Sequence, residues 1–290
     1  MDAQARPHSV LLIGCGQLGT DLGSRLVDEG VRVAALRRDA SHLPSSFERI
    51  AADLRRPLER PLPEVDAMVI TLPPDTAATA DPAASFRASL RSLAHALPVV
   101  PRRVLFVSST RVFDGAPGER PIDERDAPVP ASERANALRE AELLAQDLLD
   151  AHIIRPAGIY GPGRESLIRR VVAGTPMQHT RRTNRIHSTD LTRALHAMLH
   201  LEAPPRILHA VDQAPAPLGD VVTHIAARLG IAPPPAIEPA VGGGTVLRGT
   251  PLTETLGALT HPTYRSGYDE LLADRSLAVP ASGLPDRPEP

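Results

Sequence analysis

The chain contains no lysine and no tryptophan, a single cysteine, Cys15, and only three tyrosines and four phenylalanines. One cysteine excludes an intrachain disulfide and a thiolate metal cluster. Without lysine there is no Schiff-base chemistry, no phosphate-binding P-loop and no lysine to tune a neighbour's pKa. Scarce aromatics argue against base-stacking platforms and aromatic cages. Charge of either sign is not in excess: 32 basic residues, all arginine, face 34 acidic ones for a net −2. Nucleic acid and anionic membrane are therefore not expected partners. No apolar run approaches the roughly 20 residues of a membrane span. The start, Met1–Pro7, lacks a cationic stretch leading into an apolar one, so a cytoplasmic location is expected. What is present is 42% apolar residues over 290 positions, enough for a sizeable aliphatic core.

Short β-branched runs alternate with helical patterns through the first half, the pattern of a parallel α/β sheet. Ser9–Ile13 reads as a strand apolar on both faces, followed by a helix over Gln17–Glu29 that stops at Gly30. Strands are expected at Val31–Leu36, Ala67–Leu72, Arg103–Ser108 and His152–Arg155, with helices around Ala83–Ala96 and Ser132–Asp150. After Pro156 the pattern loosens. Helices are expected at Glu165–Ala173, Thr189–Leu201, Leu218–Leu229 and Ser266–Ala273, an irregular loop at Ala232–Gly244, and an unstructured tail at Ala278–Pro290. The expected architecture is a doubly wound parallel sheet, residues 1–155, followed by a smaller mixed lobe over 156–277 that is partly interleaved with it.

Gly14-Cys15-Gly16-Gln17-Leu18-Gly19 fits G-x-G-x-x-G between the first strand and the first helix. Gly14 permits the tight turn and Gly16 lets the backbone approach a pyrophosphate. Gly19 lets helix and strand pack, while the first-turn amides of Gln17 and Leu18 face the phosphates. An ordinary glycine turn is the competing reading. At the end of the second strand, Arg37 and Arg38 suit a 2′-phosphate, so NADP(H) is expected in preference to NAD(H). Asp39, one step on, leaves a ribose hydroxyl as the alternative.

Several further segments resemble, in order, the short-chain dehydrogenase/reductase superfamily, in particular its extended and atypical branch of NAD(P)-dependent epimerases and dehydratases. Ala52-Asp53-Leu54 is similar to the acidic turn that meets adenine, and Phe106–Gly115 to the fifth-strand motif ending in a catalytic Ser or Thr. Ile154–Gly163 resembles the R-P-x-x-I-Y-G-P-G loop, and Asn184–Asp190 the R-I-H-V-x-D segment of the substrate lobe; Val211-Asp212 and Leu229-Gly230 fit downstream. The resemblance implies cofactor contacts at Asp53, Leu54, Thr71 and Pro156 in addition to the glycine motif. It also implies a small-molecule substrate in the cleft between lobes, and a homodimer, as family members often are.

The family's catalytic Tyr-x-x-x-Lys pair is missing. Its positions fall on Arg134 and Leu138, and no lysine exists to restore it. Arg134 stays protonated and cannot serve as an ordinary general acid. Replacement candidates are the hydroxyls of Ser109 and Thr110, which otherwise bond to backbone at a strand end. Tyr160 is a further candidate, as a phenolic acid near the nicotinamide or else a packed loop residue. Glu133 is either a base or a favourable charge at a helix start. His196 and His200 are four apart on an expected helix, but no His-Glu-x-x-His accompanies them and no metal is expected. The resemblance makes His187 a structural or substrate-lobe hydrogen-bonding residue. Cys15 reads as a small buried filler, with a redox-sensing thiol as the alternative. Three functions stand side by side: an atypical oxidoreductase or epimerase/dehydratase, a non-catalytic NADP(H)-ratio sensor, and a non-redox lyase or isomerase that uses its cofactor structurally.

Overall fold

A computed structural model describes residues 6–72, 81–238 and 243–273. The expected tail at 278–290 and part of the expected loop at 232–244 lie outside those residues. In chain order the first half holds β1 (Ser9–Ile13), α1 (Gln17–Asp28), β2 (Arg32–Arg37), β3 (Glu48–Ala51), β4 (Ala67–Ile70) and α2 (Pro82–Ala96). It continues with β5 (Arg103–Val107), a 3-10 turn at Thr110–Phe113, β6 (Pro121–Ile122), α3 (Glu133–Leu149) and β7 (His152–Pro156). Then follow β8 (Gly158–Tyr160), α4 (Ser166–Val172), β9 (Arg182–Thr183), β10 (Arg185–His187), α5 (Ser188–His200) and β11 (Ile207–Ala210). The described chain ends with β12 (Ala216–Pro217), α6 (Leu218–Leu229), β13 (Val246–Leu247), α7 (Thr250–Leu256) and α8 (Tyr264–Ala273).

Seven strands form one parallel sheet in the order β11-β7-β5-β4-β1-β2-β3. The order reverses direction between β1 and β4, and in such sheets that switch point opens a crevice at the carboxyl ends of the strands. The central strands are aliphatic and wholly buried, β1 along its full length, because helices cover both faces. Leu11, Ile13, Met68 and Phe106 pack beneath α2 and α3 on one face; Val10, Leu12, Val69 and Leu105 pack beneath α1 and α5 on the other. α1 lies unusually near the sheet: a Cβ on Gly23 would stand 2.5 Å from Phe47 and 2.8 Å from Leu12.

Local signals set the helix ends. Asp81 caps α2 by accepting from the amides of Ala83 and Ala84, with Pro82 in the first turn, and Ser132 caps α3. Gly230 ends α6 in the left-handed region. A third cluster, Ile168, Val171, Val222, Ile225, Tyr264 and Tyr268, holds α4, α6 and α8 together after the sheet. β11 and α7 were not expected from the sequence, and β3 was implied only by the resemblance, in which the acidic turn at Ala52–Leu54 follows a third strand. β3 (Glu-Arg-Ile-Ala) is a largely exposed edge strand with no apolar alternation to read. β4 stops at Ile70, two residues short of the expected end.

Candidate active site

Gly14 occupies the turn after β1 at φ +76°, where a Cβ would stand 3.0 Å from the Thr71 carbonyl oxygen. The Thr71 hydroxyl locks this turn by donating to the carbonyls of Ile13 and Gly14. Gly16 caps α1 with no side-chain hydrogen bond, and no acidic residue sits in the first turn. The first-turn amides, orphaned by helix geometry, thus keep a positive dipole end for an anion. Gly19 packs on the buried Cys15, whose thiol pKa is pushed up by burial; the side chain is a filler. Gln17 reaches across to donate to the Pro162 carbonyl at 2.7 Å, tying the helix start to the loop after β8.

A cleft of 700 Å³ opens here, walled by Gly14–Gly16, Leu36–Asp39, Ala52–Arg55, Leu72 and the α2 side chains Ser85, Phe86 and Ser89. Arg37 is half-buried and donates to the Cys15 carbonyl at 3.4 Å, while Arg38 is exposed. Asp39 is engaged elsewhere, accepting from the Ser41 amide and hydroxyl. Asp53 is gripped by Arg55 through Nε and NH2, which holds its carboxyl down at about 2. The glycine turn, the open helix start and the arginine-bearing strand end match the needs of a dinucleotide: a close approach for the diphosphate and cations for the adenosine end. The α2 residues were missed by sequence reasoning because a helix flank facing a cleft carries no motif.

A second pocket, of 550 Å³, lies beyond the end of β5. Its lining includes Ser109, Thr110, Arg111 and Asp114, then Ala157 and Gly158, and Gln178, Arg181, Arg182, Thr183, Asn184 and Thr245. Ser109 caps the 3-10 turn, its Oγ accepting from the Arg111 amide at 3.2 Å, which leaves its own proton to donate. The Thr110 hydroxyl donates to the Pro156 carbonyl at 3.4 Å, so Pro156 acts through its backbone. Asn184 is fixed by Thr245 and Leu247. Arg182 pairs with Glu119. Arg111 and Arg181 are exposed, and among the described residues no ion pair is formed by either.

Tyr160 is not brought to either pocket. It is 4% exposed, stacks on Tyr268 with centroids 4.6 Å apart, meets His187 edge-on, and donates weakly to the Thr263 carbonyl at 3.5 Å. Burial drives its pKa far above that of a free phenol. The geometry thus supports the packed-residue reading of Tyr160 over the acid. Arg155 is fully buried and forked onto Glu142 at 2.9 and 2.8 Å. His187 is buried and caps α5, its Nδ1 accepting from the Thr189 amide; burial, then His261, lowers its pKa to about 4. Nearby Asp212 is pushed up to about 7 by burial. On α3, Leu138 is in the core, while Glu133 and Arg134 are exposed at the first turn.

Comparison with known proteins adds a family to this geometry. Residues 8–184 match the model of the RmlD substrate binding domain. The chain belongs to that family. It is also 30% identical over 305 residues to a 3-diazoavenalumate denitrifying reductase from a Streptomyces species, covering 89% of this chain and 98% of that one. Among solved structures, one assigned as an NAD-dependent epimerase/dehydratase from Methylobacillus flagellatus is 30% identical with a TM-score of 0.75, over 92% of this chain and 98% of that chain. MoeE5 in complex with UDP-glucuronic acid and NAD, at 22% identity and a TM-score of 0.71 over 92% of this chain and 99% of that one, shares the fold. The chain is thus a member of a Rossmann-type superfamily of NAD(P)-dependent reductases, epimerases and dehydratases. No helix among the described residues is long and apolar enough to cross a membrane.

Proposed function

We propose that this chain is an NADP(H)-dependent reductase of a small anionic aromatic compound, atypical in that its hydride acceptor takes no proton from the protein. One observation carries the reading: no tyrosine stands in the walls of either pocket, and none of the three tyrosines lies on α3, where Arg134 and Leu138 replace the family's pair. Reduction of a carbonyl develops an alkoxide that must be protonated; without an acid at hand that route is disfavoured. When bound, the reduced nicotinamide supplies a hydride, and an arenediazonium ion accepts it as its C–N bond breaks, giving arene, dinitrogen and oxidised nucleotide with no proton exchanged. The name of the Streptomyces relative points to the same class of acceptor.

The chain's own groups then have limited tasks. Gly14, Gly16 and the amides of Gln17, Leu18 and Gly19 hold the diphosphate. Arg37 and Arg38 hold the 2′-phosphate, Asp53 and Leu54 border adenine, and Thr71 with Pro156 keep the turn and the strand end in place. Ser109 and Thr110 orient the substrate by hydrogen bonding, and the uncommitted guanidiniums of Arg111 and Arg181 hold its carboxylate.

The test follows NADPH oxidation at 340 nm with a carboxylated arenediazonium salt, with enzyme-free blanks, while mass spectrometry measures labelled dinitrogen. One N2 per NADPH, slowed by Ser109→Ala and Arg181→Ala, is the expected result. Reduction of ketones or keto-sugars with no diazonium turnover above the blank refutes the acceptor class. NADPH binding with no turnover of any acceptor supports the sensor instead.

A further inference from the structure

Two helix ends converge away from both pockets. α1 closes at Glu29, its C-cap, and the last turns of α5 carry His196 and His200, four residues apart and so on one helix face. His196 Nε2 stands 2.8 Å from the Glu29 carboxylate and His200 Nε2 3.7 Å from it. One donor atom from each of the three lies within 4.8 Å of the other two. The His200 Nδ1 is 2.8 Å from the His196 carbonyl. A carbonyl can only accept, so Nδ1 carries the proton and Nε2, the atom that faces Glu29, is the one free to ligate. That is the orientation a metal-ligating imidazole needs; His196 Nε2 donates to the Glu29 carboxylate at 2.8 Å and would give up that proton to a bound ion.

The electrostatics point the same way. The negative ends of two helix dipoles meet at this spot and Glu29 adds a full charge to one of them, an arrangement that a cation relieves. Arg25, 3.5 Å from the same carboxylate and 47% exposed, offsets it only in part. We propose that Glu29, His196 and His200 form a site for one zinc ion, with water in the fourth position. Zinc bonds of about 2.0–2.2 Å in a tetrahedron set ligand atoms about 3.3–3.6 Å apart; the observed 2.8 and 3.7 Å straddle that range. Two imidazoles with one carboxylate suit zinc over magnesium or calcium, which take oxygen ligands. The helical spacing of the histidines supplies two ligands, and the third comes from 167 positions away, which is why the sequence offers no metal signature. Bound zinc pins α1, whose other end opens the dinucleotide cleft, to α5 on the same face of the sheet.

The experiment titrates zinc chloride into the untagged, chelator-treated full chain by calorimetry and repeats it on Glu29→Gln, His196→Asn and His200→Asn. Uptake of one zinc per chain is expected, weakened more than tenfold by each substitution. Zinc at 100 times the parent's Kd should raise the Tm by about 4 °C in the parent chain, through binding to the folded state alone, and at the same concentration by about 2 °C or less in the variants. Chelator-treated variants should melt as sharply as the parent, which separates a lost ligand from a lost fold. Absence of saturable uptake, or uptake equal in all four proteins, overturns the site.

Discussion

The strand end bearing Arg37 and Arg38 gives the cofactor reading its sharpest test. Both guanidiniums line the first cleft, but their settings differ. Arg37 is half-buried and braced on the Cys15 carbonyl, so little further side-chain entropy is lost when it meets a phosphate. A charge-assisted hydrogen bond of that kind contributes about 2 kcal/mol. Arg38 is exposed and screened by water, with Asp53 as a competing anion nearby, which limits it to about 1 kcal/mol. At about 1.4 kcal/mol per decade, Arg37→Ala should weaken NADPH about 30-fold and Arg38→Ala about fivefold. The double variant should fall at or short of the product, because neighbouring charges share one phosphate. NADH, with a hydroxyl in place of the phosphate, should change less than about threefold in each variant. Calorimetric titrations at low and high salt would check this, with the Arg38 effect the more salt-sensitive of the two. Equal losses for NADH and NADPH would show that the arginines act on the fold or on the diphosphate, and the NADP(H) preference would fall.

Glu142→Ala would leave Arg155 fully buried without its forked carboxylate, so denaturant titration should show a loss of about 3–5 kcal/mol; a loss under 1 kcal/mol would mean that the pair is not closed in solution. Tyr160→Phe should leave turnover within about twofold and cost about 1 kcal/mol of stability, because among the described residues the hydroxyl's hydrogen bond is the long one to the Thr263 carbonyl; a collapse of kcat with unchanged KM would restore Tyr160 as an acid. Stability should also depend on pH with a sign fixed by burial. His187 and His209 are held to about 4, below their unfolded value near 6.5, so between those limits the unfolded chain binds about two more protons. Asp212, raised to about 7, opposes them with one proton held by the folded chain. Stability should therefore fall on acidification from pH 6 to 4.5 by about 1.4 kcal/mol per unit, and Asp212→Asn should steepen the fall to about twice that; a flat profile in both proteins would refute the balance.

How far the sequence discloses this molecule depends on whether a feature is local. β1, the glycine turn and α1 were legible together because a buried strand, a residue at positive φ and a helix start follow one another within 20 residues. α6 is placed to the residue, since Gly230 stops it and its apolar face repeats evenly. Arg37 and Arg38 could be singled out because their place at the end of β2 is set by that strand's register with β1. What escaped is what folding assembles from afar. β3 has no pattern of its own and exists because Ala34–Arg37 offer it a free edge. The second pocket draws Ser109, Arg181 and Thr245 from three separate stretches, and only the first belonged to a motif. Tyr160 shows how a distant residue weighs between two readings of one motif. Its motif set it beside the nicotinamide or in the packing of its loop, and Gly267 on α8 lets the phenol sink so far that a Cβ there would collide with the hydroxyl oxygen. A glycine 107 positions away thus favours the packed reading of Tyr160 over the acid, and a Gly267→Ala change should force the ring to move.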